Sequence, residues 1–318
     1  MKIGSLFSGY GGLDIAVESF FHARTVWHAE WEDAPSKVLA HHWPGVPNFR
    51  DVTQVDWSAV EPVDIITGGF PCQDVSKAGK RAGMVEGTRS NLWGAMKTAI
   101  ETIRPQYAVI ENVRGLLSAT AQSDSDLEQQ PGFMGNESAL NLRALGRVLG
   151  DLADIGYDAQ WHGLRAADIG APHGRYRIFI LATNTEHNGT SAGPDWRNHG
   201  TSTTQMRRTQ RVTTVSDRKS AGGHHVDHRP DEIRWVAYEP AIRHWEQVLG
   251  RAAPAPTELS AKGKHQLSPV FVEWMMGLDE GHVTGIEGAS RADQLKMLGN
   301  GVVLQQAYEA LRRMKVAG

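Results

Sequence analysis

The first third of the chain alternates between short apolar segments with strand character and segments with the spacing of amphipathic helices. Strands that alternate with helices predict an α/β fold, in which a mostly parallel sheet carries helices on both faces. The predicted strands are Lys2–Phe7, Arg24–Glu30, Val63–Gly68 and Tyr107–Asn112, and the predicted helices between them are Leu13–Phe20, Ala34–His41 and Asn91–Ile103.

The remaining sequence is less regular. Ser118–Ser138 is acidic and rich in Gln, which predicts a long loop. An amphipathic helix is predicted after this loop and is expected to end at Gly156. The further predicted elements are a helix over Leu140–Ile155, an antiparallel pair of strands over Asp158–Arg165 and Arg177–Ala182, and helices over Pro269–Met276 and Gln294–Lys315.

Composition narrows the class of protein. No apolar run of the 318 residues approaches the roughly 18 needed to span a bilayer. The chain passes from Met1-Lys2 directly into a predicted strand, without the pattern of a secretory leader. We therefore expect a soluble, cytoplasmic protein.

Charge is unevenly distributed along the chain. Residues 185–267 contain 12 Lys+Arg and 9 Asp+Glu, a balance of +3, so the remainder has 33 − 12 = 21 basic and 36 − 9 = 27 acidic residues, a balance of −6. Apolar periodicity also weakens in this segment. A basic, polar insert indicates either a surface for a polyanion or a solvated loop region, and composition leaves both open.

The turn Phe7-Ser8-Gly9-Tyr10-Gly11-Gly12 joins the first strand to the first helix. Its glycines, Gly9 and Gly11 among them, permit close approach of a ligand, although the turn lacks the dinucleotide pattern G-x-G-x-x-G. Glu30 ends the second strand, where an acid commonly binds ribose hydroxyls. Trp31 is suited to stacking on a base and Asp51 to accepting an exocyclic amine; a surface acid, a core aromatic and a helix N-cap are the alternatives. An adenosine pocket without a phosphate-binding signature favours S-adenosylmethionine over NAD.

Cys72 is the only cysteine, which excludes an intrachain disulfide and disfavours a cysteine metal cage. It follows a predicted buried strand and the turn Gly68-Gly69-Phe70-Pro71. A thiol at the carboxyl end of a strand in an open sheet lies in the ligand crevice. The thiol is therefore either a nucleophile or a small buried apolar group.

Charged residues complete this predicted crevice. Glu111 ends the strand that starts at Tyr107, where it is a candidate proton donor or hydrogen-bond partner. Arg175 and Arg177 are two residues apart and fall on one face of a strand, since strand side chains alternate. Two arginines on one face suit a phosphate, a carboxylate or a base edge.

Taken together, these motifs resemble the cytosine-5 DNA methyltransferase family, in its compact bacterial or phage type. The resemblance covers nearly all of residues 1–184 and 268–318. It rests on the order and spacing of Phe7–Gly12, Glu30-Trp31, Pro71-Cys72-Gln73 with Ser76, Glu111-Asn112-Val113, Arg175-x-Arg177, Ser268-Pro269 with Glu273 and Met276-Gly277, and Gly299-Asn300-Gly301-Val302. One departure is His173, which stands where the family usually has Gln.

The resemblance implies a Rossmann-like, S-adenosylmethionine-dependent methyltransferase sheet with a smaller target-recognition domain. It implies that the Cys72 thiolate attacks C6 of a cytosine flipped out of the duplex, while Glu111 holds or protonates N3. Arg175 and Arg177 would contact the base and its surroundings and lower the thiol pKa. Ser76 would meet the DNA backbone. The S-adenosylmethionine pocket would be lined by Phe7, Leu13, Glu30, Trp31, Asp51, Val52, Leu92 and Asn300 together with the glycines of the turn.

The implied organisation is a catalytic domain over 1–184, a target-recognition domain over 185–267 and a C-terminal segment over 268–318 that returns to the catalytic domain. Arg207, Arg208 and Arg211 are candidates for contacts with double-stranded DNA, either with guanine edges or with phosphates. His224, His225 and His228 form a polar surface cluster rather than a predicted metal site. We expect a monomer. The alternatives are an RNA cytosine-5 methyltransferase and a catalytically silent DNA-binding relative.

Overall fold

The computed structural model describes residues 1–71, 92–117, 120–121, 142–187 and 235–316. Within these residues six strands form one sheet, in the order β2-β1-β3-β4-β8-β7. The first four are mutually parallel, β8 is antiparallel to β4, and β7 is antiparallel to β8. This confirms the predicted mostly parallel sheet and its antiparallel pair. The strands are β1 Lys2–Leu6, β2 Arg24–Ala29, β3 Ile65–Gly68, β4 Tyr107–Val113, β7 Tyr157–Arg165 and β8 Tyr176–Asn184.

Short strands pair outside this sheet. β5 (Thr120–Ala121) pairs with β6 (Leu142–Arg143), and β9 (Thr257–Leu259) forms a hairpin with β10 (His265–Leu267). The helix predicted to begin at Leu140 therefore begins later, because 142–143 are extended against 120–121. The rest of the predicted loop lies outside the described residues.

The helices of the described chain flank the sheet. α4 ends as predicted, because Gly156 adopts a φ of 84°, which a glycine reaches without steric strain. The bounds are α1 Gly12–Phe21, α2 Asp33–His42, α3 Leu92–Ile103, α4 Ala144–Asp154, α5 Glu239–Leu249, α6 Pro269–Met275, α7 Arg291–Asn300 and α8 Leu304–Val316. None of them is long and apolar enough to cross a membrane.

Two apolar clusters fill the spaces on either side of the sheet. Alternate residues of one strand belong to different clusters, as Ile65 and Ile66 of β3 do. The cluster around Ile65 includes side chains of α1, α5, α6 and α8, while the cluster around Ile66 includes those of α3 and α4. Each fully buried aliphatic side chain contributes about 1.5–3 kcal/mol, so these clusters hold the sheet between its helices.

The single helix predicted over Gln294–Lys315 is wrong, because the structure has two helices, α7 and α8, with a break after Asn300. Gly301 is extended, with φ −71° and ψ −175°. The carbonyls of Gly301 and Val302 accept bonds from Arg175 and Tyr10 instead of continuing a helix. α7 also begins earlier than predicted, at a capping box in which Ser290 and Asp293 bond each other's backbone N–H.

The helix α5 lies inside the predicted recognition segment but packs into the core. Its Ile242, Trp245 and Leu249 are buried in the same cluster as β3. The indole Nε1 of Trp245 donates to the Trp274 carbonyl of α6 at 3.0 Å. Residues 188–234 lie outside the described chain, so the domain boundaries remain predictions.

Candidate active site

The carboxyl ends of the four parallel strands meet at one edge of the sheet. The pairing aligns Leu6 with Ala29, Leu6 with Gly68, and Gly68 with Ile110. The residues that follow these aligned positions along each strand are the Phe7–Gly11 turn, Glu30, Gly69-Phe70 and Glu111. These segments are far apart in the sequence, but the parallel topology of the strands brings them to one crevice.

The turn after β1 is shaped by three residues with positive φ: Phe7 at 54°, Gly9 at 56° and Gly11 at 83°. The backbone N–H of Gly9 donates to Glu30 Oε2 at 2.8 Å, which joins the ends of β1 and β2. The space beside Gly9 is open, since a Cβ built there would meet no atom within 4 Å. A ligand therefore has access to the backbone at this point, as the sequence predicts for an adenosine site.

Glu30 is buried, and burial raises the pKa of its carboxyl. Its other oxygen, Oε1, accepts the Glu32 N–H at 2.8 Å, which fixes the carboxylate at the mouth of the turn. The neighbouring indole of Trp31 is 66% exposed, so its ring is free to pack on a ligand. The pair thus combines a fixed acceptor with an exposed aromatic surface.

The other predicted pocket residues are more dispersed. The side chains of Leu13 and Val52 are buried in opposite apolar clusters. Phe7 and Leu92 pack partly buried against the cluster of Val52. Asp51 accepts the N–H and hydroxyl of Thr53, and Asn300 is exposed at the end of α7.

Glu111 and Arg177 form a buried ion pair. Arg177 Nε lies 2.7 Å from Glu111 Oε1, with side-chain exposures of 13% and 10%. Neither atom has an aligned hydrogen-bond partner, so the contact is an ion pair. Burial raises the pKa of Glu111, and the guanidinium groups of Arg177 and Arg175 oppose that increase. The predicted acid and one predicted arginine are therefore in direct contact.

Gly69 provides the space that the Glu111 carboxylate occupies. A Cβ at this position would lie 2.9 Å from Glu111 Oε2, closer than real Cβ atoms approach. Asn112, the next residue of β4, donates from Nδ2 to the Phe70 carbonyl at 3.1 Å. β4 thus holds the segment that leads to Cys72 through two adjacent side chains.

Arg175 precedes β8 and turns toward the C-terminal segment. Its guanidinium donates to the Gly299 carbonyl at 2.6 Å and to the Gly301 carbonyl. Burial lowers its pKa to about 10. His173 makes a parallel contact, from Nε2 to the Met275 carbonyl at 3.1 Å. The segment 173–175 therefore joins β8 to α6 and to the break between α7 and α8.

Two residues that the sequence analysis did not single out hold the turn from the opposite side. Tyr10 donates its hydroxyl to the Val302 carbonyl at 2.6 Å, and burial raises the pKa of this phenol. His282 Nε2 lies 2.9 Å from the Tyr10 carbonyl, with its ring stacked on His42 at 3.9 Å. No local pattern indicates these contacts, since they join positions more than 200 residues apart.

Glu273, a residue of the resemblance, supports His282. Its carboxylate accepts the N–H groups of Gly281, Val283 and Thr284. This fixes the loop on which His282 lies. The remaining predicted site residues, Cys72, Ser76, Arg207, Arg208 and Arg211, and the histidines 224, 225 and 228, lie outside the described residues.

Comparison with known proteins identifies this arrangement. The sequence matches the family described as C-5 cytosine-specific DNA methylase over residues 1–235. The chain belongs to this family. Enzymes of the family and its fold use S-adenosyl-L-methionine as methyl donor, and the open, glycine-lined turn beside Glu30 fits such a ligand.

Curated proteins similar to this chain include bacterial type II methyltransferases. Type II methyltransferase M.NlaIV of Neisseria lactamica is 30% identical over 188 residues, which are 58% of this chain and 41% of that protein. Type II methyltransferase M.Sau3AI of Staphylococcus aureus is 28% identical over 206 residues, 60% of this chain and 45% of that protein. The matches thus span less than half the length of these relatives.

Solved structures share the fold of this chain. S. pombe Dnmt2 methyltransferase has a TM-score of 0.58 at 13% identity and covers 100% of both chains. A triple mutant of Spodoptera frugiperda DNMT2 has a TM-score of 0.56 at 16% identity, with 98% of both chains covered. At these identities the likeness establishes the methyltransferase fold that the sequence predicts.

Proposed function

We propose that this chain is a DNA (cytosine-5) methyltransferase that modifies a cytosine in a short specific sequence. The observation that carries the proposal is the buried Glu111–Arg177 pair, which lies 2.7 Å apart at the end of the strand beside the Cys72 segment. A carboxyl with a raised pKa next to a guanidinium suits a cytosine ring, which needs a proton donor at N3 and a cation at its carbonyl.

S-adenosyl-L-methionine would supply an electrophilic methyl group. Gly9 and Gly11 would let the ligand approach the backbone of the turn. Glu30 would accept its ribose hydroxyls, while Trp31 would pack on the adenine and Asp51 would accept the exocyclic amine. Phe7, Leu13, Val52, Leu92 and Asn300 would complete the pocket, with Phe7 and Leu92 placed on one apolar cluster.

The Cys72 thiolate would add to C6 of cytosine, which sends the ring electrons toward C5 and N3. Glu111 would donate a proton to N3 as negative charge develops there. Because burial favours the neutral form of Glu111, this proton is available at a higher pH than in an ordinary carboxylic acid. After C5 has taken the methyl group and lost its proton to solvent, the C6–S bond would break, N3 would return its proton to Glu111, and Cys72 would leave as the thiolate.

Arg177 would hold Glu111 in place and contact the base, while Arg175 would keep the 299–301 segment against β8. C6 is shielded within the duplex, so the cytosine would be flipped out to meet Cys72. The segment 185–267 would read the DNA sequence, with Arg207, Arg208 and Arg211 on bases or phosphates and Ser76 on the backbone. The description of the matching family, C-5 cytosine-specific DNA methylase, supports DNA as the substrate over RNA.

The test is to incubate the purified protein with labelled S-adenosyl-L-methionine and unmethylated genomic DNA, and to map 5-methylcytosine at base resolution. Methylation confined to one short sequence supports the proposal, and the Cys72→Ser variant should abolish it while DNA binding persists. Activity confined to a parallel tRNA reaction would establish the RNA alternative. Wild-type turnover by Cys72→Ser would exclude the covalent mechanism.

A further inference from the structure

Asp14 is a buried carboxyl for which the proposed mechanism has no role. It lies in the first turn of α1 and is 1% exposed. Its Oδ1 accepts the Thr67 hydroxyl at 2.6 Å and its Oδ2 accepts the Ser5 hydroxyl at 2.9 Å. Asp14 therefore links α1 to β1 and β3, directly beneath the turn that would bind the methyl donor.

Ser5 connects this carboxyl to the turn itself. Its Oγ lies 2.7 Å from Ser8 Oγ, and Ser8 Oγ lies 3.3 Å from His28 Nδ1. Ser8 is the residue before Gly9, whose N–H is bound by Glu30. A continuous row of polar atoms thus runs from the core carboxyl to the centre of the donor turn.

The row has two hydrogen-bond arrangements, because a serine hydroxyl carries one proton. When Asp14 is ionised, Ser5 donates to Asp14 and accepts from Ser8. When Asp14 is protonated, its own proton is donated to Ser5, which then donates to Ser8. In the second arrangement the proton of Ser8 is directed to His28 Nδ1 or the Ser5 carbonyl, each 3.3 Å away, or to a ligand.

The surroundings leave both arrangements accessible. Among the described residues, β1 and β3 present hydroxyls to Asp14, β2 presents His28 with Nδ1 4.0 Å from Oδ2, and α1 presents Glu18. Burial lowers the pKa of His28 to about 4, so this imidazole is neutral near pH 7. Burial raises the pKa of Asp14 to about 7, against the hydrogen bonds from Thr67 and Ser5.

We propose that Asp14 is a positioning residue for the methyl donor, which acts through Ser5 on the hydroxyl of Ser8, and that protonation of Asp14 reverses the direction of this row at the donor turn. The inference rests on the proposed function, since it takes the Phe7–Gly12 turn as the donor site. It assigns a role to residues outside the predicted pocket.

The first test is the Asp14→Asn variant. Asparagine donates from Nδ2 to Ser5 and accepts from Thr67, so it copies the protonated arrangement at every pH. The dissociation constant of S-adenosyl-L-homocysteine would be measured by calorimetry from pH 5.5 to 8.5 for this variant and the wild type. The control is Asp56→Asn, at an exposed aspartate that bonds Ser58, which makes the same change of side chain but keeps Asp14.

The wild type and the Asp56→Asn control should both show a change of at least threefold in this constant through about pH 7. Asp14→Asn should remain at the low-pH value of the wild type throughout. A merely structural role would lower the melting temperature of Asp14→Asn and leave the pH profile parallel to that of the wild type. Such a parallel profile overturns the proposal.

Two further variants keep the test decisive if Asp14→Asn does not fold. Ser5→Ala breaks the row while Asp14 keeps its bond from Thr67, so the pH dependence should disappear. Thr67→Val removes a donor to Asp14 that lies off the row, so the dependence should persist with its midpoint at higher pH. Retention of the wild-type profile by Ser5→Ala overturns the proposal.

Glu30→Ala separates this inference from the proposed function. If Glu30→Ala binds the ligand as the wild type does, the donor site itself is misassigned. If Glu30→Ala loses binding while Asp14→Asn and Ser5→Ala keep the wild-type pH profile, the donor site stands and the role of Asp14 fails.

Discussion

Glu111 and Asp14 are both buried carboxyls near one edge of the same sheet, and burial raises the pKa of both. Their partners differ. Glu111 faces the guanidinium groups of Arg177 and Arg175, whereas Asp14 accepts bonds from two hydroxyls and lies beside a neutral histidine. Neighbouring cations oppose the rise in the pKa of a buried carboxyl, while hydroxyls can solvate either protonation state. Burial therefore yields an acid opposed by cations in one place and an acid held by hydroxyls in the other.

The largest expected effect comes from Glu111→Gln, which removes the proposed proton donor and keeps the shape. Turnover should fall by about 10²–10⁴, the usual contribution of a general acid, while the affinity for the methyl donor is retained. Single-turnover methylation of a DNA substrate measures the effect. Glu101→Gln, at an exposed position of α3, is the control. A loss of less than threefold would remove Glu111 from the proton transfer.

Gly69→Ala tests whether the position of Glu111 matters as well as its charge. The added methyl group would lie 2.9 Å from Glu111 Oε2 and must displace it. A displacement near 1 Å costs about 10²-fold in turnover. Gly150→Ala is the matched control, since no atom lies within 4 Å of its Cβ and α4 should gain about 0.5–1 kcal/mol. Equal turnover of the two variants would contradict the requirement for a fixed carboxylate.

Arg175→Met tests whether a neighbouring cation lowers the pKa of Glu111. The Arg175 guanidinium lowers the pKa of Glu111, so its loss should raise that pKa and move the high-pH decline of turnover to higher pH. Unfolding in urea should also show a loss of about 1.5–3 kcal/mol per charged hydrogen bond to the 299–301 carbonyls. Arg243→Met, an exposed surface ion-pair residue, should cost less than about 1 kcal/mol. An unshifted pH profile would show that Arg175 does not contribute to the pKa of Glu111.

The smallest expected effect is on the pH dependence of stability. Asp14 has a folded pKa above its unfolded value, so the folded state holds its proton more tightly, and this contribution to stability is lost as pH rises toward about 7. His28 has a folded pKa of about 4, so its contribution is lost as pH falls below about 6.5. The two residues therefore change the free energy of unfolding with pH in opposite directions over much of the interval from pH 4 to 6.5.

Asp14→Asn should remove the contribution of Asp14 to the pH dependence of stability. The free energy of unfolding of this variant should then rise from pH 4 to 6.5 more steeply than that of the wild type, as measured in urea at several pH values. Asp56→Asn should follow the wild type. A variant profile parallel to the wild type would mean that the pKa of Asp14 is the same in the folded and unfolded states.

The site around Glu111 could be predicted from the sequence, but the environment of Asp14 could not. Glu111 and Arg177 end or begin strands with strong apolar patterns, and the parallel topology that those patterns predict brings them to one edge. Asp14 has no such signal, because an acid in the first turn of a helix is typical of a solvated end. The Asp14 carboxyl can be buried because it accepts hydrogen bonds from hydroxyls on two strands, β1 and β3.

The contacts of the C-terminal segment are a second feature that could not be predicted from the sequence. Gly299 and Gly301 do not interrupt the apolar periodicity of 294–315 enough to predict a break in the helix. The break follows from Arg175 and Tyr10, which bond carbonyls in that segment from 124 or more residues away. Likewise, the spacing of Ile242, Trp245 and Leu249 is helical and could have indicated α5, but the polar composition around it obscured the pattern.

The bond between Tyr10 and Val302 has a consequence for biogenesis. Its partners are 292 residues apart, so the turn after β1 reaches its final shape only after the ribosome has made Val302. Contacts of such long range are formed late and slow the search for the folded state. During synthesis, the sheet can assemble from its early strands while the turn after β1 still lacks the Tyr10–Val302 hydrogen bond. A nascent chain stalled before Val302 would therefore carry a folded sheet with an unfinished donor site, and competence to bind the methyl donor would come only once Val302 has been made.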